Sequence, residues 1–179
     1  MRLEVLQYTI FRTKWGYFGL AGTGDALSRT LLPTPDRRAA EQALLLALGP
    51  ATQGVRLDPG FLPALQERII GYYEGESVDF SVDPPILLDY ASPFARRVLN
   101  ACRAIPYGQT RTYSDLARQV GSLGAARAVG GVMASNPIPL VIPCHRVLRT
   151  NGGLGGFSAP GGIAVKQRML EHERSLACL

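Results

Sequence analysis

The sequence predicts an α+β fold in two parts. An N-terminal α/β domain with a small antiparallel sheet covers residues 1–88, and a mainly helical domain covers residues 89–179. Three observations carry this expectation. Strand-forming runs separated by Gly-containing turns fill the first third of the chain. After Ser92-Pro93 the apolar residues recur with a helical period. The charge also changes sign: residues 1–90 hold 8 Lys+Arg and 11 Asp+Glu, whereas residues 91–179 hold 11 and 3.

Residues 3–11 are apolar and β-friendly, 13–16 turn, and 17–21 resume the strand. A second turn at 22–25 precedes a third strand over 26–32. Thr34-Pro35-Asp36 reads as an N-cap, a proline at the first helical position and an acid in the first turn, so a helix runs to Leu48 and stops at Gly49-Pro50. A second helix spans 62–74. Residues 76–88, with Pro84-Pro85 inside, read as a short strand running into a linker.

In the second half, Ser92-Pro93 caps a helix whose apolar positions Phe94, Val98, Leu99, Cys102 and Ile105 share one face. Cys102 therefore belongs to a core stripe. Thr112-Tyr113-Ser114-Asp115 is a capping-box start with Asp in place of Glu, opening a short helix to Val120. A Gly-containing turn at 121–124 leads to a helix over 125–134, which together form a helix-turn-helix pattern. The Gly-rich segment 149–158 lacks the lysine of a phosphate-binding loop and reads as a mobile loop or β-wing before a last helix at 163–173.

The helix at 125–134 is unusually slim. Ala125, Ala126, Ala128, Gly130, Gly131 and Ala134 leave Arg127, Val129, Val132 and Met133 as its sizeable side chains. Two adjacent glycines cost roughly 1 kcal/mol each against alanine in a helix interior. Two explanations stand side by side: tight packing on another helix, or close approach to DNA with Arg127 projecting. A slim helix suits the minor groove, where readout is degenerate. The basic second half suits a polyanionic partner, although uneven surface charge alone would look the same.

No apolar run is long enough to span a membrane, and the mixed N-terminus MRLEVLQYTIF shows no signal peptide, so a soluble cytoplasmic protein is expected. Three widely spaced cysteines without a CxxC pair argue against a disulfide framework or a structural zinc site. Cys178 reads as a solvent-exposed bystander.

Residues 136–147 concentrate the chemistry: Asn-Pro-Ile-Pro-Leu-Val-Ile-Pro-Cys-His-Arg-Val. Three prolines stiffen the approach to Cys144 and His145. A thiol becomes a nucleophile as the thiolate, and a neighbouring His or Arg lowers its pKa, so both His145 and Arg146 are placed to help. Glu171 and Glu173 are the only acids after Asp115, and one of them is expected to orient His145. Taken as a bare dipeptide, Cys-His reads first as a small buried residue beside an ordinary histidine, and the surrounding prolines weaken that reading without reversing it.

The ordered set Ile105-Pro-Tyr-Gly-Gln-Thr, Tyr113…Leu116-Ala117, Ala125-Ala-Arg-Ala-Val-Gly-Gly-Val-Met, Asn136-Pro-Ile-Pro and Ile142-Pro-Cys-His-Arg-Val resembles the O6-alkylguanine-DNA alkyltransferases over nearly all of residues 91–174. The resemblance implies a ribonuclease-H-like N-terminal domain that supports a winged helix-turn-helix domain. It implies direct-reversal repair by a methylated-DNA–protein-cysteine S-methyltransferase that acts once, as a stoichiometric suicide acceptor. Cys144 would accept the alkyl group, His145 would activate it through water, and Glu173 would complete the relay. Tyr113 would rotate the target nucleotide and give a proton to guanine N3, and Asn136 would be the hinge to the active-site turn. Thr112, Tyr113, Ala125, Ala126, Arg127, Gly130 and Gly131 would face DNA, with Arg127 filling the gap in the duplex. Met133, Val147, Phe157 and Ser158 would shape the substrate pocket, and Lys166 matches the family's lysine in the last helix.

The implied partner is double-stranded DNA containing O6-alkylguanine, with no membrane, no metal and no cofactor. A monomer in solution is expected, with room for several copies along one DNA. Leu99 stands where many relatives carry Trp, Phe157 replaces a common Tyr, and Ala159-Pro160 is an insertion beside the pocket lid. Some relatives bind zinc in the N-terminal domain, but residues 1–90 contain no Cys and no His. Two other classes compete: a non-catalytic lesion binder, which would generally lack the acceptor cysteine, and a Cys-His hydrolase acting on small molecules.

Overall fold

A computed structural model describes residues 5–49, 54–82 and 84–174. Cys178, Pro50 and the first residues of the strand expected at 3–11 lie outside them. The chain divides into two compact units, Met1–Val78 with Val82–Leu87 and Asp79–Ser81 with Leu88–Leu179. The short segment around Phe80 joins the second unit, where its carbonyl accepts a hydrogen bond from Arg103 Nε at 2.7 Å.

In the first unit, β1 (Leu6–Thr13), β2 (Gly16–Thr23) and β3 (Ala26–Thr34) form antiparallel hairpins, and β4 (Arg56–Leu57) pairs parallel with β1. The sheet order is β3-β2-β1-β4. The turn into β2 needs glycine: at Gly16, φ is +130° and an added Cβ would lie 2.4 Å from the Thr34 carbonyl oxygen. The helices α1 (Arg37–Leu48) and α2 (Pro63–Glu74) belong to the same unit, whose core includes Phe18, Leu20, Leu27, Leu44, Ile69, Tyr72 and Tyr73.

Two expectations change here. Asp36, not Thr34, caps α1: its carboxylate accepts from Ala39 N at 2.8 Å while Thr34 is still the last residue of β3. Residues 76–88 form no named strand among the described residues. Two prolines limit their pairing to one bridge between Leu27 and Ile86.

The second unit contains α3 (Pro93–Arg103), α4 (Tyr113–Gln119), α5 (Ala126–Ala134) and α6 (Gly162–Arg174). A two-residue parallel pair, β5 (Arg111–Thr112) with β6 (Val147–Leu148), ties the start of α4 to the segment after Cys144. Cys102 is fully buried on α3, as its place on the apolar stripe requires. The Gly-rich segment 149–158 is loop and contains no strand, so the β-wing alternative does not hold. Its turn is closed by Arg149 N donating to Gly153 O at 2.8 Å. The fold is thus mixed α+β, with six α-helices among the described residues, none long and apolar enough to cross a membrane.

Candidate active site

Cys144 is delivered by a turn that the backbone and Asn136 hold together. Ile142 N donates to Ile138 O at 2.8 Å, and Leu140 between them takes a left-handed φ of 77° while 1 % exposed. A buried non-glycine residue in that region stores strain that its surroundings must hold. The amide of Asn136, just beyond α5, bridges the turn: Nδ2 donates to Ile142 O at 2.9 Å and Oδ1 accepts from Ile138 N at 3.0 Å. Asn136 thus joins the end of α5 to the cysteine turn through a pair of hydrogen bonds.

Cys144 opens a single 3-10 turn, Cys144–Arg146, and is 7 % exposed. Burial pushes its thiol above the ordinary value, while a hydrogen bond with the Asn136 side chain, the Lys166 charge and backbone N–H groups pull against that rise. The net effect is a thiol, so a base is needed to make the thiolate.

His145 follows, fully buried, with Nε2 2.7 Å from Glu173 Oε1. Glu173 on α6 is therefore the orienting acid, while Glu171 accepts from Gln167 Nε2 at 2.8 Å. Burial pushes the Glu173 carboxyl up, but hydrogen bonds from His145 and Arg146, with the Arg146 charge, outweigh it and hold the pKa at about 2. Burial lowers His145 below 6.5 against the pull of Glu173, so the ring is neutral at pH 7. An ionised carboxylate accepts a proton, which places the ring hydrogen on Nε2 and leaves Nδ1 as an acceptor. Nδ1 is buried and has no hydrogen-bond partner among the described residues.

Arg146 does not act on the thiol as the sequence suggested. Its guanidinium grips Glu173, with Nε to Oε2 at 2.9 Å and Nη2 to Oε1 at 3.0 Å, and Nη1 donates to Ile105 O at 2.6 Å. It also lies 5.6 Å over the Tyr107 ring, and Gly108 N donates to Glu173 Oε2 at 3.0 Å. The cation near Cys144 is Lys166, fully buried on α6, whose Nζ donates to Val147 O at 2.6 Å. Desolvation lowers Lys166 to about 8.

Tyr113 joins this cluster to an open cavity. Thr112 caps α4 through a complete capping box with Asp115, so its hydroxyl is engaged in starting the helix on which Tyr113 is the first residue. Lys166 Nζ lies 5.9 Å from the Tyr113 ring centre. At Gly155 an added Cβ would meet the Tyr113 hydroxyl at 2.7 Å, so the loop can lie against the ring only as glycine. The cavity has a volume of about 640 Å³, and its lining includes Tyr113, Ala126, Arg127, Gly130, Met133, Phe157 and Ser158. Cys144, Asn136 and Val147 are not part of that lining; Tyr113 lines it and lies within electrostatic reach of Cys144. Ala125, Thr112 and the exposed Gly131 also lie outside it.

The slim face of α5 can now be assigned. Among the described residues an added Cβ at Gly131 meets nothing within 4 Å, and at Gly130 it meets only Tyr113 Cε1 at 4.0 Å. Helix–helix packing therefore does not account for these glycines. Arg127, Gly131 and Ala134 share one exposed stripe, and Arg127 forms no hydrogen bond or ion pair among the described residues.

Sequence reasoning missed Arg146 as the second partner of Glu173, and the polar wall of the cavity at Ser114, Arg149 and Thr150. The adjacency of Arg146 to His145 was the available signal for the first; nothing local marked the second.

Comparison with known proteins gives a consistent result. The family model for the 6-O-methylguanine DNA methyltransferase DNA binding domain matches residues 93–175. The methylated-DNA–protein-cysteine methyltransferase of Mycobacterium bovis is 41% identical over 120 residues, covering 67% of this chain and 70% of its own. That of Methanothermobacter thermautotrophicus is 40% identical over 117 residues, covering 64% and 62%. Among solved structures, Mycobacterium tuberculosis OGT in complex with DNA matches with a TM-score of 0.76 at 33% identity, over 95% of this chain and 94% of that one. The O6-methylguanine-DNA methyltransferase of Pyrococcus kodakaraensis matches with a TM-score of 0.70 at 27% identity, over 94% and 99%. This chain belongs to the family of methylated-DNA–protein-cysteine methyltransferases.

Proposed function

We propose that the protein repairs duplex DNA by moving the alkyl group of O6-alkylguanine, methyl foremost, irreversibly onto Sγ of Cys144. The carrying observation is the buried line from Glu173 through His145, which leaves Nδ1 as a bare acceptor next in sequence to the thiol. The Cys144 proton passes through an intervening water to Nδ1, and the imidazolium formed is held by Glu173. The thiolate attacks the alkyl carbon, a C–S bond forms, and the C–O bond breaks with its electron pair going to guanine. A proton from the Tyr113 hydroxyl to N3 leaves neutral guanine and a tyrosinate, whose charge balances the His145 imidazolium until a proton returns to Tyr113 through water. The thioether is not hydrolysable, so each molecule acts once.

A stacked base cannot present its O6-alkyl carbon to a protein thiolate, so the nucleotide must be turned out of the helix. The bare stripe of α5 supports close approach in the minor groove, with Arg127 filling the space the base leaves. Asn136 keeps α5 and the cysteine turn in register, and Met133, Phe157 and Ser158 line the receiving pocket. The helix-turn-helix character of α4–α5, and a ribonuclease-H-like supporting role for the first unit, belong to the same proposal.

Weighing the intact protein after incubation with duplex DNA carrying O6-methylguanine is the direct test. A gain of one methyl on the Cys144 peptide, absent in Cys144→Ala, is expected. Lesion binding without any mass gain would instead establish a non-catalytic lesion binder.

A further inference from the structure

Arg149 lines the cavity beside Tyr113, yet its guanidinium makes no hydrogen bond and no ion pair among the described residues. The arginine is nonetheless held at the wall. Its backbone closes the turn, with Arg149 N to Gly153 O at 2.8 Å and Gly152 N to Arg149 O at 2.9 Å. Its stem lies over Gly153, where an added Cβ would stand 3.5 Å from Arg149 Cδ. The hydroxyls of Ser114 and Thr150, on the same wall, share a long hydrogen bond of 3.4 Å, in which one of them donates and the other keeps its hydrogen for a ligand.

The acids of this half of the chain are all engaged elsewhere. Asp115 is bound to Thr112 and Arg118, Glu171 to Gln167, and Glu173 to His145 and Arg146. The Arg149 charge reaches inward, since it opposes protonation of both Tyr113 and Lys166.

We infer that Arg149, with the Ser114 and Thr150 hydroxyls, forms an oxyanion-binding corner of the cavity that takes a negatively charged group carried by the substrate. Two parts of an alkylated strand bear that chemistry: the phosphodiester beside the extruded nucleotide, and a carboxylate on the alkyl group itself. An unpaired guanidinium on a wall without carboxylates favours either over a neutral ligand by direct Coulomb attraction and by forked hydrogen bonding. The inference rests on the alkyl-transfer proposal for the choice of substrate and leaves the acceptor chemistry unchanged.

The test compares wild type, Arg149→Leu and Arg149→Lys on duplexes carrying O6-methylguanine or O6-carboxymethylguanine, the latter a small adduct with a carboxylate. Duplex affinity, alkylation rate and their salt dependence are read, with melting temperature as the control for folding. If the phosphodiester is the occupant, Arg149→Leu weakens both duplexes alike, roughly tenfold at low salt, and flattens the salt slope by about one. Arg149→Lys then recovers most of the loss. If the adduct carboxylate is the occupant, the carboxymethyl duplex alone loses rate, and the methyl duplex changes less than twofold. Changes under twofold on both duplexes overturn the oxyanion corner. Failure of wild type to gain an alkyl group overturns the repair proposal instead, and the affinity arm still decides the corner.

Discussion

Among Glu173, Arg146 and His145, every polar side-chain atom but His145 Nδ1 has a protein partner, and all three residues are 4 % exposed or less. Along the exposed stripe of α5 and the facing loop, the long cations Arg127 and Arg149 have no partner at all among the described residues. The first region has its geometry set before substrate arrives by a buried ion pair, with Nδ1 alone left open. The second leaves its long cations without a protein partner among the described residues, and an external anion or an opened duplex is the partner proposed for them. A residue in the first region therefore affects folding and chemistry together. One in the second, under the proposed function, is expected to affect encounter with DNA and leave the fold alone.

Breaking the buried region gives the larger effect. Glu173→Gln removes the charge that orients His145 and pairs with Arg146, and leaves a buried guanidinium unpaired. A loss of about 3–5 kcal/mol in stability is expected, read by denaturant titration. Alkyl transfer should fall by roughly 10²–10⁴, because the imidazolium is no longer stabilised. Acid should act on wild type in the same direction. The Glu173 carboxyl is depressed from 4.5 to about 2, so its contribution is present above pH 4.5 and is lost as pH falls toward 2. His145 is lowered from 6.5, so it also costs stability, and its capacity as a base, as pH falls below 6.5. A wild-type protein whose stability stays flat from pH 7 to pH 3 would break the contrast between the two regions.

Arg127→Ala probes the open region. The residue is exposed and makes no bond, so melting should not change. Transfer from duplex O6-methylguanine should fall on the order of ten- to a hundredfold, equivalent to about 1.4–3 kcal/mol. The reaction with the free modified base should be largely spared. Equal loss in both assays would contradict the gap-filling role and place Arg127 with the chemistry instead.

The two regions also differed in how far the sequence revealed them. The acceptor, its base and the acid were legible because they lie in one stiff segment plus the few acids that follow Asp115. The other half of the ion pair was not, since the adjacency of Arg146 to His145 signals that it lies near Glu173 but does not say that it turns toward α6 rather than toward the thiol. Lys166 is legible as a match to the family's lysine, but its burial against Val147 O depends on how α6 meets the cysteine turn. In the first unit, β4 is too short for any periodic signal, and Asp36 outcompeted Thr34 as the cap because β3 ran further than its apolar pattern. The glycines of α5 were visible from the start, yet their cause was not, because packing and groove approach leave the same sequence.

Gly131→Ala separates those causes with the smallest change of all. A methyl group there meets open space, so it should stabilise the fold by up to about 1 kcal/mol through helix propensity. If the face is bare for DNA, the same methyl should slow repair of duplex O6-methylguanine several-fold while raising the melting temperature. A stabilised variant with undiminished duplex repair would show that the bare stripe does not set the approach. A destabilised one would mean that α5 packs against something its exposed face does not reveal. Opposite signs for stability and repair are the expected outcome under the proposed function, in which, unlike around Glu173, the protein gives up its own stability to leave room for a partner.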